Sequence, residues 1–209
     1  MRYLSDEEET TLRLALVQLP TAPRPARGRS QLAFAEKGVA QADAANLLCV
    51  VQLNSLLNAA PDTGSAEAGV ILMFASSSLA AKKQLSSNAL LFRPEQRDEK
   101  GIEQGLHQAM LWGHVRGSEL TDQWMTGGAE SPLNRALANQ LDAQAVGVVA
   151  TENLSGQHDL DFRLGSAGIA TPWLCVALAM QQARDSGRKQ LISIAQAERL
   201  TLAVVAPRS

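Results

Sequence analysis

Apolar residues in this chain fall into short runs separated by polar or Gly/Pro punctuation, and the spacing inside each run predicts its element. Leu12 to Leu19 alternates imperfectly and stops at Pro20, which predicts a strand. Pro20 to Arg29 then carries three prolines and three arginines, a poor helix or inner strand. It reads as a solvated connection rather than a nucleic-acid arm, because the remainder of the chain supplies no basic face. From Ala40 to Ala59, Leu47, Leu48, Val50, Val51, Asn54 and Leu57 recur at helical spacing. A long, largely buried helix is predicted there, stopped by Pro61-Asp62-Thr63-Gly64. Gly69 to Phe74 is an unbroken apolar run of strand length, the pattern of a strand buried in a parallel or mixed sheet. Ser76, Ser77 and Ser78 offer caps for a short helix, Asn88 to Phe92 suits another strand, and Arg93 to Gly101 is a charged break.

The second half is patterned more sharply. Ile102 to Val115 places Ile102, Leu106, Ala109, Met110 and Val115 on one side of a helix. Gly127-Gly128 marks a turn or hinge. Ser131-Pro132 is a cap followed by proline at the first helical position and opens a helix to about Leu141. Ala145 to Thr151 is expected as a strand. Thr171-Pro172 repeats the cap-and-proline start of a helix to Ser186, and Gly187 supplies its stop. Gln190 to Ala195 and Leu200 to Val205 are close enough to form a hairpin. Strands alternating with helices predict a layered α/β fold, helices packed on a mixed central sheet. The expected organisation is one domain over 1–209, with a first segment at 30–93 and a second at 102–207.

Composition narrows the function classes. Nineteen basic and 21 acidic residues give a net charge of −2, so there is no electrostatic reason to expect nucleic acid or an anionic membrane as partner. No apolar run approaches the roughly 20 residues that span a bilayer. Ser5 to Glu9 is acidic where a secretory signal would be basic, which points to a soluble, cytoplasmic protein. Cys49 and Cys175 each lie in an apolar run and read as buried free thiols rather than a disulfide.

Motifs of common chemistry are missing: there is no G-x-x-x-x-G-K-[ST] loop, G-x-G-x-x-G, C-x-x-C, H-E-x-x-H or G-x-S-x-G. Three weaker constellations remain. Glu152, His158, Asp159 and Asp161 share a loop after an expected strand, where sites sit in α/β folds. They suit acid/base work or a metal, or form a polar loop without a role; no ligand spacing is diagnostic, and neither metal nor cofactor is expected. Glu103, His107 and His114 ride on the helix from Ile102, the first two sharing a face as a surface ion pair would. Gly165-Ser166-Ala167-Gly168 precedes a helix start, where it either admits an anion or lets the backbone pack closely. Trp112, Trp124 and Trp173 are candidate interface anchors; Trp173 suits the core equally, and Trp124, in a Gly-flanked polar stretch, is preferred.

Leu133 to Pro207 resembles the C-terminal half of the thiolase-type fold of condensing enzymes. The resemblance rests on Ala145-Val146-Gly147-Val148-Val149, then Arg163-Leu164-Gly165-Ser166-Ala167-Gly168, the helix from Thr171 and the terminal strand pair. Asp161 to Cys175 is also similar to a bacterial family of lipase adaptors for type VI secretion. That likeness implies a protein which carries a toxic phospholipase to the secretion spike. Condensing enzymes need a nucleophilic cysteine at a helix N-terminus. Here Cys49 falls mid-helix by pattern, Cys175 follows Pro172 inside a helix, and Gly165-Ser166 stands where a synthase has Gly-His. The resemblance therefore implies a non-catalytic binding protein, an adaptor or chaperone whose partner is another protein, such as a lipase effector. Alternatives are an enzyme built on the 152–161 loop, a degenerate condensing-enzyme homologue, and a homodimer that completes a half fold.

Overall fold

A computed structural model describes residues 2–4, 46–54, 62–84 and 89–208. The expected strand at Leu12–Leu19 and the connection Pro20–Arg29 lie outside the described residues. Two sheets organise the rest. The larger is a mixed sheet of β4 (Ala89–Leu91), β5 (Glu95–Arg97), β6 (Asp122–Thr126), β7 (Gln157–Asp159), β8 (Gln190–Gln196) and β9 (Arg199–Pro207). Its order is β4-β9-β8-β6-β7, with β5 also paired to β9. The smaller sheet has β3 (Ala68–Ser76) between β1 (Arg2–Leu4), parallel to it, and β2 (Asn46–Gln52), antiparallel to it.

Alternation along the terminal hairpin explains the layering. Leu191, Leu200, Leu202 and Val204 face one way, onto α2 (Ile102–Trp112) and α3 (Pro132–Ala143). Ile192, Ile194, Ala203 and Val205 face the other, onto α5 (Thr171–Ser186). On its far side α5 meets Leu48, Val50, Val70, Leu72 and Phe74 of the small sheet. The order is therefore helices, six-stranded sheet, central helix, three-stranded sheet. Packed between the two sheets, α5 buries Cys175, Ala179 and Ala183 wholly, while Gln181, Arg184 and Asp185 towards its C-terminal end stay exposed. Two short helices, α1 (Ser77–Lys83) and α4 (Leu160–Leu164), complete the elements. No helix among the described residues is long and apolar enough to cross a membrane.

The helices at 102, 132 and 171, the strand at 69–74 and the hairpin fall where the pattern places them, and Gly187 ends α5 in the left-handed conformation. Three expectations are corrected. Ala40–Ala59 is not a helix where described: Asn46–Gln52 is a strand, and Cys49 on it is exposed instead of buried. Its apolar run of Leu and Val satisfies helical and strand periods alike, and the β-branched pair Val50-Val51 favours the pleated sheet. Gly147–Ala150 is a 3₁₀ turn, not a strand. Gly147 lies so close to the Ser118 and Leu120 carbonyls that a Cβ would meet them at 2.7 and 2.9 Å, while Val146 and Val148 are drawn into the core. The charged break at 93–101 contains the strand β5, which pairs with β9 from Glu95↔Leu202 to Arg97↔Leu200.

Candidate functional site at the carboxyl ends of the parallel strands

β6, β7 and β8 run parallel, so their carboxyl ends share one edge of the sheet. Two carboxylates meet the backbone there. Asp159 ends β7 and caps α4, accepting from the Phe162 amide at 3.1 Å with Oδ1 and from the Ala129 amide at 3.1 Å with Oδ2. Asp161 Oδ2 accepts from the Gly127 amide at 2.6 Å, while its Oδ1 is buried without a partner. Burial raises the Asp161 carboxyl above its ordinary range; the Gly127 amide opposes this, and the negative charge of Asp159 adds to it. The turn they hold has both glycines at positive φ, +88° at Gly127 and +76° at Gly128. Asn134 supports it from below, donating through Nδ2 to the carbonyls of Thr126 at 3.1 Å and Gly128 at 2.7 Å. Gly127 also lines a cleft of about 520 Å³ between the start of α3, the β8–β9 turn at Ala197-Glu198 and Asp98–Lys100.

Of the loop residues singled out in the sequence, only Asp159 and Asp161 meet at this edge. His158, one residue away on the strand, points to the other end. Its Nε2 lies 3.3 Å from Asp122 Oδ1, and its ring tilts over Trp124 at 4.3 Å between centroids. Asp122 also accepts from the Thr121 hydroxyl at 2.9 Å and pairs with Arg188 at 3.4 Å. Glu152 is exposed in a 3₁₀ turn, with no hydrogen bond or ion pair to the other three among the described residues. No cluster of three or more His, Cys, Asp or Glu among the described residues is placed to hold a metal ion.

The tryptophans are tied into the fold. Trp124 is a central residue of β6, half-buried, and donates through Nε1 to Gln190 at 3.0 Å. Trp112 donates to Glu95 at 3.0 Å and carries the Arg93 guanidinium 5.1 Å above its ring. Trp173 packs half-buried against the α5 core. Glu103, His107 and His114 are exposed, with no ion pair among them. Gly165–Gly168 is zipped to the strand-to-strand loop below: Ser166 donates to Gly64 at 2.8 Å, Ala66 to Ser166 at 2.9 Å, and Ala167 to the Thr171 hydroxyl at 2.9 Å. These amides are occupied by protein, which is close packing, and Gly165 at φ +83° leaves no room for a Cβ against the Gly64 carbonyl.

The feature that no spacing announced is apolar. Phe162 on α4 is 88% exposed, and Leu164 and Ile169 beside it in sequence are also exposed. Neither cysteine is set up as a nucleophile. Cys175 is fully buried, and burial, with the charge of Asp161 adding, drives its thiol far above the ordinary range. Cys49 lies in the middle of a strand, not at a helix start.

No protein family and no characterised relative is matched by the sequence. Solved structures do match the fold. The ketosynthase from module 1 of the bacillaene synthase of Bacillus amyloliquefaciens FZB42 superposes with a TM-score of 0.61 at 10% identity, over 79% of this chain and 41% of that one. An oxazolomycin ketosynthase domain of Streptomyces albus JA3453 gives 0.59 at 13% identity, over 78% and 57%. The acetyl-CoA acetyltransferase of Syntrophomonas wolfei gives 0.52 at 12% identity, over 70% and 39%. The chain has the thiolase-like fold of condensing enzymes and spans about half the length of the structures it matches.

Proposed function

We propose that this chain is a non-catalytic protein of condensing-enzyme fold that works by binding another protein. The observation that carries the reading is Phe162, a phenylalanine 88% exposed on a short helix whose start is fixed by the Asp159 cap. Exposed aromatics on rigid elements act as interface anchors, and Leu164 and Ile169 supply apolar neighbours. The deeply buried Cys175 and the mid-strand Cys49 support a binding role over acyl transfer. The finer reading is an adaptor that carries a lipase effector to a type VI secretion spike; it rests on the likeness of Asp161 to Cys175, the stretch that also bears Phe162. Affinity capture from the native host with the intact chain tests it. A lipase or spike protein is expected at near-stoichiometric yield, and Phe162→Asp abolishes its recovery. No partner, or equal recovery with both proteins, refutes the reading.

A second reading is favoured by the buried, unpartnered Oδ1 of Asp161, whose other oxygen holds the amide of Gly127 in the cleft wall: an enzyme using Asp159 and Asp161 as an acid/base pair. A small-molecule thermal-shift screen in which hits are lost on Asp161→Asn supports it, and an absence of hits refutes it.

A further inference from the structure

The turn Gly127-Gly128-Ala129 joins β6 to α3 and is held from two sides. On the α3 side Asn134, itself buried, donates to the Thr126 and Gly128 carbonyls. On the α4 side the turn meets carboxylates. The Gly127 amide donates to Asp161 Oδ2 at 2.6 Å, the Ala129 amide to Asp159 Oδ2 at 3.1 Å, and the Gly128 amide also points at Asp161. Among the described residues no other group accepts from the Gly127 or Ala129 amide. Three successive N–H groups converging on carboxylate oxygens form a backbone concavity suited to negative charge.

The grip depends on that charge. A charged acceptor makes a hydrogen bond about twice as strong as a neutral one. Asp161 Oδ1 is buried without a partner, so a proton taken there has no acceptor in place. A buried donor left unpaired is costly, and the carboxyl must turn to seat it, which takes Oδ2 off the Gly127 amide. Gly127 lines the cleft, and a glycine is free to swing its amide toward solvent there. The side chains facing Asp161 give its charge no support. Asp159 faces it from the end of β7 and the Cys175 thiol from α5, and no basic side chain pairs with it among the described residues. Beyond the turn, the cleft lining adds Asp98, Glu99 and Glu198, with Lys100 as their basic neighbour. Burial above all, with the Asp159 charge adding, raises the Asp161 carboxyl, so it takes up its proton above the ordinary carboxyl range.

We infer that Asp159 and Asp161 form an acid-released latch: charged, they hold the double-glycine turn to α4 and fix the cleft wall at Gly127, and protonation of Asp161 frees the turn and reshapes the cleft. Phe162 rides on the same helix, so the latch joins the exposed aromatic surface and the cleft into one unit that uncouples in acid. It needs neither a partner at Phe162 nor a substrate in the cleft, and it therefore fails separately from both functional readings.

The test is a pH titration of the whole chain, labelled with ¹⁵N and ¹³C and followed by chemical shift and amide hydrogen exchange. As pH falls from neutral toward 3.8, the Gly127 and Gly128 amide protons are expected to move on one curve with its midpoint above 3.8. The carboxyl carbon of Asp161 follows that curve, and the amides of Leu133 and Ala197, elsewhere in the cleft lining, shift with it. Asp161→Asn sets a neutral acceptor in the same place. Its Gly127 amide is expected to exchange roughly tenfold faster than the wild type's at neutral pH and to lose the titration. A Gly127 amide that does not titrate, or titrates with a midpoint at or below 3.8, overturns the inference. So does an Asp161→Asn protein whose Gly127 amide stays as protected as in the wild type, or a cleft whose Leu133 and Ala197 amides stay fixed while Gly127 titrates. Should Asp161→Asn fail to fold, the wild-type titration decides the matter.

Discussion

Gly127 and Gly128 form one turn, both left-handed, yet their surroundings differ, and this separates two costs that usually travel together. A Cβ on Gly127 would lie 2.5 Å from the Ala195 carbonyl oxygen and 2.7 Å from the Ala195 Cβ; on Gly128 it would meet nothing within 4 Å. Alanine at either position carries the strain of positive φ, about 1–2 kcal/mol. At Gly127 it must also displace the backbone of β8, a central strand, and overpacking of that kind adds about 1–3 kcal/mol. Gly128→Ala is therefore expected to cost about 1–2 kcal/mol and Gly127→Ala about 2–5 kcal/mol. In a chain of 209 residues each kcal/mol lowers Tm by about 2–4 °C. Thermal unfolding followed by circular dichroism should then show a drop of roughly 2–8 °C for Gly128→Ala and roughly twice that or more for Gly127→Ala. Displacing Gly127 also pulls its amide from Asp161 and reshapes the cleft wall. Equal shifts for the two variants, or a Gly127→Ala protein as stable as the wild type, would refute the account of this turn.

Asp161 gives a signed pH dependence. Its folded pKa is raised above 3.8, chiefly by burial, so between 3.8 and the raised value the folded state holds a proton that the unfolded chain has released. Stability from this group is present at lower pH and is lost as pH rises through the folded pKa. Urea midpoints should fall across that window in the wild type relative to Asp161→Asn and run parallel above it; a pH-independent difference refutes the assignment. Leu137, fully buried on α3, should cost about 2–5 kcal/mol as alanine, read as a lowered urea midpoint with an unchanged slope. Trp124→Phe keeps the ring but leaves the fully buried Gln190 without its Nε1–H donor, and should cost about 1–3 kcal/mol by the same assay. A maleimide should label native protein once per chain, at Cys49, and twice in denaturant; prompt double labelling of native protein contradicts the burial of Cys175.

What the sequence revealed and what it concealed divide along physical lines. Helices with caps and one apolar stripe were legible: Ser131 accepts from the Asn134 amide as its cap position requires, and Gly187 ends α5. The α/β layering and the terminal hairpin were legible for the same reason. The central strand β6 was not, because Asp122-Gln123-Trp124-Met125-Thr126 looks like a polar loop. Its polar side chains are buried and meet partners across the sheet: Gln123 Nε2 donates to the Ser193 hydroxyl at 2.9 Å, leaving its Oε1 unpartnered, and Asp122 faces His158. Such partners lie tens of residues away, so no local window shows them. The candidate loop was half legible. A two-residue period puts Asp159 and His158 on opposite sides of β7, and only the side that reaches the Gly127 turn gathers carboxylates. Phe162 was passed over because one aromatic between Asp161 and Arg163 sets no period. β2 was misread for the opposite reason, an apolar residue at every inner position. A strand with one face in the core and the other in water alternates; Leu47, Leu48, Val50 and Val51 do not. The absence of polar residues on the outer face hid the strand's period from the sequence, and the same absence leaves Leu47, Val51 and Ile71 exposed. The misreading has a plain cause: β2 has the composition of a strand buried on both faces, while among the described residues Leu48 and Val50 are buried and Leu47, Cys49 and Val51 are not.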